Sequence, residues 1–169
     1  SGSTTLVGSD IDSTDLTYSV STGTDITATV DGSTVSFTAP ANFNGSESFT
    51  ATVTDGQGGD DTQTFTVTVT AVNDAPVLAA VAEVSFDEDS STSITLSGSD
   101  VDGDALSFSL DTDALNGSVT INGTVATYAP NQDFNGTDSF TFSVSDGELS
   151  DTAEVTLSVS SENDAPVLA

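Results

Sequence analysis

Three aspartates, Asp100, Asp102 and Asp104, stand at alternate positions in the stretch SDVDGDAL, residues 99–106. Carboxylates so spaced have three uses: proton transfer, capture of a hard cation, or nothing beyond solvating a turn. Proton transfer of the glycosidase kind needs a pair in which an apolar pocket holds one carboxyl neutral. These acids lie among Ser, Gly and further Asp, where pooling them around a cation favours ionisation of all, so catalysis is not expected. Calcium takes about six to eight oxygens from carboxylates, carbonyls and amide side chains, and these must converge from several segments. An EF-hand is not the source, because no helical pattern flanks the triad and no Glu follows at the loop's last ligand position. As Asp-Gly turn chemistry the triad needs no ion. On the triad alone, the calcium reading and the bare-turn reading stand side by side.

Repetition favours the ion. SDIDSTDLTYSV (residues 9–20) aligns with SDVDGDALSFSL (residues 99–110), placing Asp10 over Asp100 and Asp12 over Asp102. APANFNGSESFTATVTDG (residues 39–56) aligns with APNQDFNGTDSFTFSVSDG (residues 129–147), with one residue inserted and Asn42 opposite Asp133. VNDAPVLA (residues 72–79) returns as ENDAPVLA (residues 162–169), so even the linker is repeated. A flexible linker would be rich in Gly and Ser; this one holds Asn-Asp, a Pro that stiffens the chain, and apolar residues able to enter a strand. The chain is two copies of one module, divided as residues 1–74 and 75–169. The first copy begins at Ser1, opposite Ser91, with no counterpart of VAEVSFDEDS, residues 81–90. It is therefore expected to lack its leading strand, either because the chain is cut from a longer array or because another molecule fills the slot.

Composition narrows the partners. There are 27 acidic residues and no Lys, Arg or His, for a formal charge of −27, and no Cys, Met or Trp. Nothing here neutralises phosphate, so nucleic acid is not expected as a partner, and an anionic membrane surface would repel the chain. No apolar run suits a membrane span and no basic leader opens the sequence, so neither insertion nor an export signal is expected of this segment. Disulfides and Lys-Asn isopeptide bonds are excluded by residue type. Whatever stiffens the fold is not covalent.

Such acidity with abundant Ser and Thr could signal disorder, but the patterning opposes it. TVSFTA, ESFTATVTD and TQTFTVTVTAV in the first copy alternate polar and apolar residues, as do SITLSG, DSFTFSVSD and AEVTLSVSS in the second. Period two with Thr, Val and Phe marks half-buried antiparallel strands. Asp-Gly and Asn-Gly pairs punctuate them at residues 31–32, 44–45, 55–56, 122–123, 135–136 and 146–147, the Asn-Gly pairs being suited to type I′ hairpins. That turn role also accounts for the sequons at Asn44, Asn116, Asn122 and Asn135 without glycans. No helical period persists. The fold class expected is all-β, two tandem Greek-key β-sandwich modules, with Tyr18 and Tyr128 in core or rim positions. Modules this small bury only about 60 to 65% of their unfolded surface and are modestly stable alone.

A sandwich gathers its chain ends and alternate loops at each pole. The linker residues Asn73 and Asp74 start the second copy, and strand reversal should return to them the loop of Asp100, Asp102 and Asp104 and the Ser-Asp-Gly loop of Asp146. No cation in the sequence can pair with those carboxylates, so an external one is expected.

The ordered set FDEDS, SDVDGDALSFS, YAPNQDFNGTDSFTFSVSDG and ENDAPVL resembles the cadherin-like tandem repeat of large bacterial surface adhesins, an immunoglobulin-like sandwich family. The resemblance covers the second copy completely and the first from its second strand onward. It implies Ca2+ at the joints between modules, stiffening an array that carries an adhesive tip away from the cell. It further implies half-sites at Asp10, Asp12 and Asp55 of the first copy, and at Glu88, Asp133, Asn163 and Asp164 for a following module. The expected function is then a non-enzymatic, extracellular rod or extender segment of an adhesin, surface fibre or biofilm component. Its partners would be neighbouring modules, with head-to-tail self-association possible through the open slot. A calcium-dependent carbohydrate or ligand-binding module is the alternative, distinguished by coordination positions left open to solvent.

Overall fold

A computed structural model describes residues 1–165, so the last four residues of the second linker copy lie outside the described part. The chain divides into two compact units, the first Ser1–Val72 and the second beginning at Asn73. Every regular element among the described residues is a β-strand. The molecule is all-β, as the period-two patterning predicts.

The first unit has six strands: β1 (Gly2–Thr5), β2 (Thr17–Val20), β3 (Thr27–Asp31), β4 (Thr34–Thr38), β5 (Gly45–Thr54) and β6 (Asp60–Val69). They form two antiparallel sheets in the orders β1-β4-β3 and β2-β5-β6. Between them Ile26, Val35, Phe37 and Phe49 are buried, with Phe37, Phe49 and Phe65 in mutual ring contact at 5.4 to 5.9 Å.

The second unit repeats this plan and adds to it. Its strands are β7 (Val77–Leu78), β8 (Val84–Asp87), β9 (Thr92–Thr95), β10 (Gly98–Ser99), β11 (Ser107–Thr112), β12 (Gly117–Asn122), β13 (Val125–Pro130), β14 (Gly136–Ser145) and β15 (Ser150–Ser160). One sheet runs β12-β13-β9, the other β11-β14-β15-β8, and β7 pairs with β10 as a short ribbon. The pairing of β8 with β15 is parallel, and the others are antiparallel. Along β14, Asp138, Phe140, Phe142 and Val144 alternate inward, the half-buried strand signature in full. The core joins Phe140 and Phe142 to Ile94, Leu96, Tyr128, Val155, Leu157 and Val159.

By pairing, β1 corresponds to β9 and β6 to β15, so the first unit has no counterpart of β7, β8 or β10. The leading strand expected to be missing is missing here. The hairpins depart from expectation in one respect. In β3–β4 and β12–β13 the two-residue loops are Gly32-Ser33 and Gly123-Thr124, with positive φ at the glycine alone (57° and 59°). That is the type II′ pattern; Asp31 and Asn122 end their strands and do not enter the loop as a type I′ pair would require. At Asn44-Gly45 and Asn135-Gly136 the glycine again has positive φ (147° and 133°), and so do Asn42 (φ 60°) and Asp133 (φ 57°) just before the pairs, short polar side chains that tolerate that conformation.

Candidate metal centre

The opening pole of the second unit is built around Asp100, which directly follows the ribbon strand β10. Its Oδ1 accepts the backbone N–H groups of Asp102 (2.8 Å), Gly103 (3.1 Å) and Asp104 (3.3 Å). The loop is thereby wound around one carboxylate oxygen. The other, Oδ2, is shielded from solvent and has no hydrogen-bond partner. Oxygens of Asp100, Asp102 and Asp104 lie within 4.8 Å of one another. A shielded, unpartnered carboxylate oxygen beside two more carboxylates is costly unless a cation meets it.

The linker is tied to this loop and to its neighbour. Asp102 Oδ2 accepts the N–H of Asp74 at 2.8 Å, and Asp146 Oδ2 accepts Asn73 Nδ2 at 2.9 Å. With its amide nitrogen spent on Asp146, Asn73 keeps its carbonyl oxygen as a hard donor. Asp146 Oδ1 takes the N–H groups of Glu148 and Leu149, both at 2.7 Å. Those bonds, with Asn73, hold its carboxyl below the usual aspartate range. One step further on, Asp151 Oδ2 accepts the N–H of Leu78 at 3.0 Å and anchors the linker's entry into β7. All six residues assigned to this pole are thus connected, while the three closely grouped carboxylates are Asp100, Asp102 and Asp104. The donor set is all oxygen, rich in carboxylate and free of sulfur or imidazole, which suits Ca2+ better than a transition metal.

The first unit repeats the loop without the third acid. Asp10 Oδ1 accepts the N–H groups of Asp12 (3.0 Å) and Ser13 (2.8 Å), and Asp55 Oδ1 those of Gln57 (2.7 Å) and Gly59 (3.0 Å). Thr14 stands where the second unit has Asp104. Asp10 is held below its ordinary value, foremost by the Asp12 N–H.

At the other end of the second unit, oxygens of Asp89, Asp133 and Asp164 lie within 4.8 Å of one another. Asp164 is pushed up, first by the charge of Asp133 and then by those of Asp89 and Glu88. Asp89, φ 63°, belongs to this group although the sequence reading assigned Glu88. Glu88 is buried instead: its Oε1 accepts the N–H of Glu162 at 2.8 Å and its Oε2 the Asn135 Nδ2 at 3.3 Å. Asn163 turns its Nδ2 to the carbonyl of Asp164 at 3.2 Å.

One further acid in each unit faces inward from a strand, outside the turns that the sequence motifs mark. Asp138 is 6% exposed and accepts the N–H groups of Leu115 and Asn116 and the Tyr128 hydroxyl, at 3.2, 2.8 and 3.0 Å. At the matching place Glu47 accepts the N–H groups of Thr24, Asp25 and Ile26 at 3.1, 2.7 and 3.3 Å. The signal was present in the sequence: each acid sits two residues before a Phe, on the inward phase of a strand that is otherwise apolar on that phase.

Two sheets around a common core in each unit define an immunoglobulin-like β-sandwich, present twice in the chain. The chain belongs to the family of bacterial Ig domains, which it matches over residues 1–68 and 73–158. Among solved structures it is similar to human protocadherin-24 EC1-2, with 18% identity, a TM-score of 0.62, and coverage of 96% of this chain and 88% of that one. It is also similar to mouse cadherin-23 EC22-24, with 19% identity, a TM-score of 0.54, and coverage of 87% and 53%. An endo-fucoidan hydrolase from glycoside hydrolase family 107 matches at 24% identity over 88% of this chain, which spans only 24% of the hydrolase, with a TM-score of 0.44. No curated protein matches the chain in sequence. At these identities the likeness to solved structures concerns the fold.

Proposed function

We propose that the second unit binds Ca2+ at its opening pole, through Asp100, Asp102 and Asp104 with Asn73, Asp74 and Asp146, and that the ion fixes the linker to the module. The chain then acts as a non-enzymatic, extracellular spacer in a bacterial adhesin or surface fibre, stiffened by calcium at its joints. The shielded, unpartnered Oδ2 of Asp100 carries this reading. Support comes from the two hydrogen bonds that bring Asn73 and Asp74 onto the acidic loops, and from a sequence without one basic side chain to neutralise them. Asp10, Asp12 and Asp55 would receive a preceding module in the same manner. Asp133 and Asp164, with Asp89, would begin the joint to a following one, the crowding that raises Asp164 being relieved by a cation. Asp146 and Asp10 are held below their ordinary values by N–H bonds, which disfavours these two as general acids.

Calorimetric titration and thermal melts test the proposal. Calcium at about a hundredfold excess over Kd should add about 2.7 kcal/mol to the folded state, and sodium at matched ionic strength much less. Asp74→Ala and Asp102→Ala should shorten the particle seen by small-angle scattering in calcium while leaving the modules folded. Equal shifts with both cations would reduce the acids to a solvated surface, and an unchanged particle length in both variants would remove the linker residues from the stiffening role.

A further inference from the structure

We propose that the β12–β13 hairpin is a self-modification site, at which Asn122 loses ammonia to its own backbone and becomes aspartate or isoaspartate, while the other Asn-Gly pairs, at Asn44, Asn116 and Asn135, are held intact. The reaction consumes only water. The Gly123 amide nitrogen attacks Asn122 Cγ: the N–Cγ bond forms, the Cγ–Nδ2 bond breaks, and Nδ2 departs as ammonia with the proton given up by the Gly123 nitrogen. Water then opens the resulting cyclic imide at either carbonyl, leaving an aspartate or, where the chain continues through Cγ, an isoaspartate. Glycine, having no Cβ, gives the attacking nitrogen its least hindered setting. The step still requires a peptide unit free to turn until that nitrogen faces Cγ.

The pairs differ in that freedom. Asn122 closes the β12–β13 pairing opposite Val125, and Gly123 follows it in the two-residue loop; both are exposed, and nothing lies within 4 Å of where a Cβ on Gly123 would stand. Asn116 is pinned on both sides: its N–H donates to Asp138 Oδ2 at 2.8 Å and its carbonyl accepts the Asn131 N–H at 2.8 Å. A Cβ on Gly117 would run into the Tyr128 ring and the Ala129 carbonyl. Asn135 has its departing nitrogen engaged by Glu88 Oε2 at 3.3 Å, and Gly136 is paired with Val159. Gly45, after Asn44, is half-buried, pairs with Val69 and has the Phe43 ring 3.3 Å from its Cβ position. The first unit independently shows the product. At the matching place in β3–β4 stands Asp31, paired with Thr34 and followed by Gly32 at φ 57°, against 59° for Gly123. Aspartate therefore fits this turn. Isoaspartate does not, because its extra backbone carbon shifts residue 122 against Val125. The same loop ties the Thr124 carbonyl to the N–H of Leu96, a core residue, at 2.8 Å. Either product also brings a carboxylate to a sheet, β12-β13-β9, whose strands carry none.

Mass-spectrometric peptide mapping of the full chain, aged in mildly alkaline buffer, tests this, with isoaspartyl methyltransferase labelling to separate the two products. Asn122 should convert at least about tenfold faster than Asn44, Asn116 or Asn135, the equivalent of about 1.4 kcal/mol in barrier. In urea, where packing is lost and each Asn keeps the same glycine neighbour, the four rates should draw together. The isoaspartyl fraction should exchange the amides of Leu96 and Val125 faster than the parent, whereas Asn122→Asp should match the parent. Equal rates at the four pairs in the folded chain, a lead for any of the other three, or the same ranking and spread in urea would overturn the proposal.

Discussion

The two oxygens of Asp100 have different fates, and that asymmetry gives a clean substitution. Oδ1 organises the loop by accepting three N–H groups, whereas Oδ2 is shielded and unpartnered. Asp100→Asn can keep the first role and removes the charge required by the second. Without calcium its melting temperature should equal or exceed that of the parent, while the calcium-dependent rise should largely vanish; a full calcium response in this variant would dissociate Asp100 from the ion. Tyr128 offers the contrasting case of a buried polar pair that needs no ion. Its hydroxyl donates to Asp138, and burial together with that carboxylate pushes the phenol well above its ordinary value of 10.0. Tyr128→Phe should cost about 1–3 kcal/mol in chemical denaturation, since a buried carboxylate loses a donor. The phenol prefers to stay protonated when folded, so the parent should also lose stability as pH rises above the unfolded value of 10.0, and the Phe variant should lack that contribution.

Each central strand, β5 and β14, turns one carboxylate inward to collect the amides of the loop leading to the next sheet. The two units do this with different reach. Glu47 takes three backbone N–H groups, while the shorter Asp138 takes two from its loop and the hydroxyl of Tyr128, where the first unit has Phe37. The N–H groups, that of Asp25 foremost, hold Glu47 below its ordinary value of 4.5. A lowered carboxyl contributes stability that is present above the unfolded value and is lost as pH falls through the folded one. The first unit should accordingly soften below pH 4.5, and Glu47→Gln should flatten that part of its pH profile. Melts followed by amide signals of residues 24–26 would check this, and identical acid profiles for parent and variant would contradict it.

The two units share a plan but not a core. The second covers its β15 residues with β8 and buries ten hydrophobic residues in one cluster; the first buries four and leaves the matching face of β6 half-open. Unfolding by calorimetry should therefore occur in two steps, with the amides of the first unit exchanging in the earlier one. Leu157→Ala, at a position 0% exposed, should lower the later step by about 2–5 kcal/mol. Val67→Ala should move the earlier step by less, because that side chain is already partly in water. A single transition shifted equally by both substitutions would mean that the units do not melt independently.

Period-two alternation, turn residues and the repeat were legible along the chain, because each depends on neighbours within a few positions and on a pleat that assigns alternate residues to opposite faces. From these followed the all-β class, the two modules, the absent leading strand of the first, and the gathering of Asp100, Asp102 and Asp104 in one loop. The hairpin type was misjudged because strand register placed Asn122 at a strand end, and register is a property of two strands together. Glu88 and Asp89 show the same limit. They are adjacent in sequence, yet the backbone turns one into the interior to hold Asn135 and the Glu162 N–H and leaves the other beside Asp133 and Asp164. Nor could the chain read alone separate Asp138 from its many exposed relatives, although its inward phase was visible. Whether an acid faces amides, a hydroxyl or only other acids depends on which distant loop packs over it, and that is settled when the sheets close.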